Sequence, residues 1–181
     1  MPLSTSEIRT LYGRRARHYD VTANLYYLVG FREWSYRKKA VRALRLSPGD
    51  TVVEIGCGTG LNFTLLQKAI GPTGQIIGVD LTEAMLAQAR ERAERAGWHN
   101  VEVVLSDATE YDFPVGVNGI LSTFALTLVP EYDQVIAHGA RTCTRGALGR
   151  RRSEATRGLV GATASTASAA VPPLRCNRRL G

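Results

Sequence analysis

The stretch Val52-Val53-Glu54-Ile55-Gly56-Cys57-Gly58-Thr59-Gly60 reads as a short apolar strand running directly into a glycine-rich turn. Glycines there permit positive φ and close approach of the backbone to a ligand. A helix opening behind the turn presents N–H groups that attract a carboxylate or phosphate. A helix-period segment does follow, Leu61 to Ile70, stopped by Gly71-Pro72. The stretch therefore predicts a strand–turn–helix unit holding a nucleotide-like ligand. The dinucleotide fingerprint needs a third Gly three residues after the second, and those positions hold Leu61 (from Gly58) or Phe63 (from Gly60). This weakens the reading as an NAD(P)-binding oxidoreductase, which stays as an alternative. A P-loop is excluded because no Gly-Lys-Ser/Thr follows the turn.

Outward from this unit, β-rich apolar runs alternate with helical periodicity. Strands are expected at Thr51 to Ile55, Gln75 to Val79, Val101 to Leu105 and Val117 to Thr123. A second helix fits Thr82 to Ala96, with Thr82 as N-cap, Glu83 at the positive dipole end and Gly97 as the stop. A third starts at Pro130, a favoured first-turn residue. Alternation of this kind predicts βαβ units, hence an α/β, Rossmann-like, doubly wound and mostly parallel sheet. Upstream, residues 4–45 read as two or three helices that hold seven of the thirteen aromatics, and the turn Ser47-Pro48-Gly49-Asp50 leads into the first strand.

At 181 residues and 44% hydrophobic content the chain is long enough for one α/β domain with a core. No apolar run reaches membrane-spanning length, and Met1-Pro2-Leu3-Ser4-Thr5-Ser6-Glu7 lacks the layout of a signal peptide, so a cytoplasmic protein is expected. Cys57, Cys143 and Cys176 have no metal-ligand spacing and form no disulfide framework. The net charge of +7 is unevenly spread. Residues 1–45 carry ten Lys/Arg against three Asp/Glu, residues 46–138 four against twelve, and residues 139–181 nine against one. The expected divisions are an N-terminal helical part, 1–45, a ligand-binding core, 46–138, and an Arg/Ala-rich tail, 139–181, expected to be disordered. A basic tail also admits a nucleic-acid-binding module as an alternative. Arg without Lys or aromatics resembles GC-rich coding more than selected basicity, so no nucleic acid is expected.

The element Glu54-x-Gly56-x-Gly58-x-Gly60 resembles the first signature of class I S-adenosylmethionine-dependent methyltransferases. Further matches follow in order. Asp80, ending Ile76-Ile77-Gly78-Val79-Asp80, stands where that family's second-strand acid binds the ribose hydroxyls. Ser106-Asp107-Ala108 matches the position whose Asp takes the adenine amino group, and Leu121-Ser122-Thr123-Phe124-Ala125-Leu126 matches the segment lining the methionine portion and the acceptor. The resemblance implies S-adenosyl-L-methionine as cofactor, bound by Glu54, Gly56, Cys57, Gly58, Thr59, Gly60, Asp80, Leu81, Asp107, Ala108, Ser122 and Thr123. Within the class, Tyr12-Gly13-Arg14-Arg15-Ala16-Arg17-His18-Tyr19-Asp20 is similar to the N-terminal element of methyltransferases acting on quinones and phospholipid head groups. There the helix closes over the cofactor as a lid, so Tyr19, and with it Tyr12, either contacts the cofactor or packs the lid. A small or lipid-like acceptor is implied, and the basic aromatic N-terminus would suit peripheral contact with an anionic bilayer. No catalytic acid/base pair is obligatory for displacement at a sulfonium; His18 and Tyr19 are the candidates where a carbon or hydroxyl acceptor needs a base. His99 and His138 read as a loop and a helix-end histidine.

Members of that family continue with a Pro-Gly-Gly turn and a fifth strand, neither visible after Gly139. Shifting the reading frame by one base from Arg141 allows Ala-Pro-Ala-Pro-Gly-Gly-Arg-Trp-Ala-Val-Val-Asp-Leu-Lys-Leu-Pro, a turn and a strand. An out-of-frame or truncated C-terminal part is therefore expected, leaving the fourth strand's outer neighbour unfilled, cofactor binding weak and turnover low or absent.

Overall fold

The computed structural model describes residues 33–126, 129, 131–147 and 174–175. Helix α1, Glu33–Ala43, precedes strand β1, Thr51–Ile55. Two crossovers follow: α2, Phe63–Ile70, leads to β2, Gln75–Asp80, and α3, Glu83–Arg95, leads to β3, Val101–Leu105. The chain then returns to β4, Gly119–Leu121, and passes through α4, Tyr132–Ala147, to β5, Leu174–Arg175. Sheet order is β3-β2-β1-β4-β5. The first four strands are parallel, with Val53 opposite Ile77 and Ile120, and β5 pairs antiparallel with β4.

Burial on both faces explains why Val52, Val53 and Ile55 of β1 are all apolar. Val52 and Ile76 point into a core formed with Ala40 and Val41 of α1, Leu44 just after it, Phe63, Leu66 and Ile70 of α2, and Leu86 and Ala89 of α3. Their neighbours Val53, Ile55, Ile77 and Val79 point the other way, against Tyr111, Phe113 and Val117 of the β3–β4 connection and Val135 of α4. Polar side chains close the lower ends of the strands: Asn118 Oδ1 accepts the Thr51 N–H at 2.8 Å, and the Asn100 amide donates to the carbonyls of Gly71 and Gly74.

Three differences from the expected elements have physical reasons. Strand β4 is three residues long, not Val117 to Thr123, because its parallel ladder with β1 covers only Val52 to Glu54 and Phe124 turns out of the sheet at φ +63°. Helix α4 runs through the compositional boundary at Gly139 to Ala147; the segment 140–147 contains no Pro, and a change in composition is not a break in the backbone. His138 consequently lies inside this helix, not at its end, with its ring edge-on to Phe113. The outer neighbour of β4, expected to be unfilled, is Leu174–Arg175. Of the helices expected over residues 4–45, α1 is described; the rest lies outside the described residues.

Candidate functional site

The sheet order reverses direction between β1 and β4, and the carboxyl ends of these two strands with β2 open a crevice of the kind in which α/β sheets bind ligands. The turn after β1 takes the bend the sequence predicts. Gly56 and Gly58 lie at φ +66° and +56°, and a Cβ on Gly56 would stand 2.1 Å from the Ala125 Cβ, so the loop after β4 presses against the turn. Asp80, at the end of β2, stitches this turn to the next helix: Oδ2 accepts the Gly58 N–H at 2.8 Å and Oδ1 the Thr82 N–H at 2.9 Å. Burial pushes its pKa up, opposed by hydrogen bonds from Thr82, Gly58 and Leu81. Thr82 makes no side-chain cap for α3; its carbonyl instead accepts the Met85 and Leu86 N–H groups. Asp107 Oδ1 accepts both the N–H and the hydroxyl of Thr109, fixing the carboxylate at the cleft while Oδ2 has no hydrogen bond among the described residues.

Four of the N–H groups at the turn bond within the protein: Cys57 N–H donates to Val79 O, Gly58 N–H to Asp80, Gly60 N–H to Cys57 O and Phe63 N–H to Gly60 O. Internal hydrogen bonds leave these four donors no lone pair to attract.

Under the turn lies a buried polar chain. The Asn62 amide donates to Glu54 Oε1 and, at 2.8 Å, to Thr123 Oγ1, which also accepts from Arg37 at 3.0 Å. Glu54 is fully buried, its Oε2 has no hydrogen-bond partner among the described residues, and burial pushes its pKa up to about 7 against the pull of Asn62 and Arg37. The Arg37 guanidinium also lies 5.2 Å from the Phe124 ring centroid. Burial, with the charges of Glu54 and Asp80, pushes the Cys57 thiol up, which argues against a nucleophilic role.

The cleft has about 130 Å³ of interior. Gly56, Cys57, Gly58, Thr59, Asp80, Leu81, Asp107, Ala108 and Thr123 all line it. Glu54, Gly60 and Ser122 do not: Glu54 and Ser122 are buried, and Gly60 abuts the Phe63 ring. Tyr12, His18 and Tyr19 lie outside the described residues. Sequence reasoning missed Arg37, Met85, Val129 and Glu131 in the lining and Asn62 beneath it. Arg37 and Thr123 are 86 positions apart, and no local pattern signals such a pair.

Such a donor set has a definite chemistry. Two carboxylates stand at adjacent strand ends, apolar walls come from Leu81, Met85, Ala108 and Leu126, and no cluster of His, Cys or acids could hold a metal among the described residues. This fits a flat, hydroxyl-bearing, partly apolar ligand such as a nucleoside.

A family model described as a methyltransferase domain matches residues 52–146, more than half of the chain. The chain belongs to the methyltransferase domain family. It is 33% identical over 112 residues to a demethylmenaquinone methyltransferase of Listeria welshimeri, covering 61% of this chain and 48% of the relative. It is 37% identical over 100 residues to a phosphatidylethanolamine N-methyltransferase of Cereibacter sphaeroides, covering 54% and 47%. A crystal structure of a SAM-dependent methyltransferase from Aquifex aeolicus superposes with a TM-score of 0.53 at 27% identity, covering 59% of this chain and 57% of that one. The chain thus spans about half the length of the curated relatives it matches.

Proposed function

We propose that the chain is an S-adenosylmethionine-dependent methyltransferase acting on a small or lipid-like acceptor, a quinone or phospholipid head group foremost. The observation that carries the reading is the pair Asp80 and Asp107 at successive strand ends beside the glycine turn of a methyltransferase domain. In this reading Asp80 accepts hydrogen bonds from two vicinal ribose hydroxyls; an ionised carboxylate has lone pairs for them beyond those given to Gly58 and Thr82. Asp107 Oδ2 accepts the adenine amino group, while Leu81, Met85 and Ala108 cover the base. When bound, the cofactor supplies an electrophilic methyl group on a sulfonium. The protein's share of the reaction is then alignment, with Thr123, Phe124 and Leu126 bounding the space next to the methyl. The names of the quinone and phospholipid methyltransferase relatives support the acceptor class.

Peripheral membrane contact belongs to the same reading. The outer face of α1 exposes Trp34, Tyr36, Lys38, Lys39 and Arg42, with Lys38 over the Trp34 ring. Among the described residues no helix is long and apolar enough to cross a membrane. The test is transfer of labelled methyl from S-adenosylmethionine to a demethylated quinone or to phosphatidylethanolamine presented in anionic vesicles. Label in either lipid supports the reading; label transferred to another small acceptor and to neither lipid removes the acceptor assignment.

A further inference from the structure

We propose that Glu54 and Asn62 form a proton-holding pair beneath the cleft floor, and that a cation entering the cleft drives the proton off Glu54, so that the cleft favours a sulfonium over the neutral thioether left when its methyl is gone. The inference rests on the cofactor reading above and adds a selectivity to it. Glu54 acts here without touching the ligand, since it is buried outside the lining.

What the oxygens lack identifies the pair. The Asn62 amide donates to Glu54 Oε1, yet Glu54 Oε2 and Asn62 Oδ1, the remaining oxygen on each partner, are both buried with no hydrogen bond among the described residues. Two acceptors without donors are costly in an interior. One proton on Oε2 supplies a donor, and the acceptor left open on the same partner is Oδ1, which makes an acid–amide pair with each group giving and accepting once. The Asn62 amide also donates to Thr123 Oγ1 at 2.8 Å, and Thr123 lines the cleft, so the pair is anchored to the ligand space.

Charges in the cleft reach this pair. Among the described residues, Arg37 of α1 favours the ionised form of Glu54 and Asp80, at the end of β2, opposes it; both line the cleft. The Cys57 thiol of the turn is held neutral by burial and by the charges of Glu54 and Asp80. The start of α2 and the end of β4 present Asn62 and Thr123, which do not titrate. A ligand cation in the same cleft acts in the sense of Arg37. With Glu54 titrating at about 7, part of the unliganded protein holds the proton near neutral pH, and the arriving cation releases it to the solvent. Linkage is reciprocal, so the ionised carboxylate binds the cation more tightly. A neutral thioether exerts no such pull.

The test is calorimetric titration of the full chain, wild type and Glu54→Gln, with S-adenosylmethionine and with S-adenosylhomocysteine at about pH 6 and about pH 8. The ligands' own amino groups titrate alike with both proteins, so the difference between the proteins isolates Glu54. The wild-type preference for the sulfonium should rise across this interval by about fivefold more than that of Glu54→Gln, the linkage expected when the cation lowers the Glu54 pKa by about one unit. Equal changes in the two proteins would overturn the proposal. Should Glu54→Gln fail to melt cooperatively, wild type isotope-labelled at its glutamate side-chain carboxyls and followed by NMR decides. One carboxyl titrating near neutral pH, and moved lower by S-adenosylmethionine than by S-adenosylhomocysteine, supports the proposal; the absence of such a carboxyl overturns it. Wild type that binds neither ligand while holding a nicotinamide dinucleotide overturns it through its cofactor premise, and the ligand-free carboxyl titration tells that failure apart from a failure of the pair.

Discussion

At Glu54 a carboxyl carried into the sheet interior loses its water and receives one amide hydrogen bond, and its pKa rises from 4.5 to about 7. A raised carboxyl pKa means that the folded state holds the proton more tightly than the unfolded chain. The associated stability is complete below about pH 4.5, declines as pH rises, and is lost above pH 7. The shift corresponds to about 3 kcal/mol. Urea unfolding at pH 5 and pH 8 should therefore show wild type losing stability across the interval, while Glu54→Gln, which cannot ionise but still accepts from Asn62, loses about 2–3 kcal/mol less, part of the full effect being spent already at pH 5. Equal losses in the two proteins would show that Glu54 is solvated after all. The signature position was legible in the sequence; its burial beneath the cleft floor was not, because that depends on Asn62, Thr123 and Arg37 meeting from three separate elements.

Among the elements, the turn between β1 and α2 separates two effects that the sequence motif merges. Gly56 and Gly58 both have positive φ, but a Cβ on Gly56 would overlap Ala125 whereas one on Gly58 meets nothing within 4 Å. Gly58→Ala should thus cost only the backbone penalty, about 1–2 kcal/mol. Gly56→Ala should add displacement of the β4 loop to that penalty and lower the melting temperature well beyond Gly58→Ala. Similar melting temperatures would contradict the close approach of the two loops. Strands β1 and β3 were legible to the residue because alternating or continuous apolar runs are local signals. Where β4 ends and α4 continues was not. The first is set by pairing with Val52 to Glu54 and the departure at Phe124, the second by α4 packing Val135 against the sheet, and both are tertiary facts.

For the whole molecule, charge and composition divide the chain more sharply than the backbone does, since α4 crosses residue 139 without interruption. We propose that the residues from Arg141 onward are read out of frame, on the strength of the composition break and the turn-and-strand sequence that a one-base shift restores. The nucleotide sequence decides this: the shifted frame should stay open and encode Pro-Gly-Gly followed by an apolar strand, and early stops in it would refute the idea. In that account the native partner of β4's outer edge is missing from the translated chain, and cofactor binding is weaker than in complete relatives. The central claim is that the cleft between β1, β2 and β4 holds S-adenosylmethionine through Asp80. Its most direct test is calorimetric titration of S-adenosylmethionine into cooperatively melting wild type and Asp80→Asn. The account predicts saturable one-to-one binding, weaker than micromolar, that Asp80→Asn reduces by about 30-fold or more. Binding unchanged by the substitution, or nicotinamide dinucleotide binding in place of S-adenosylmethionine, would contradict it.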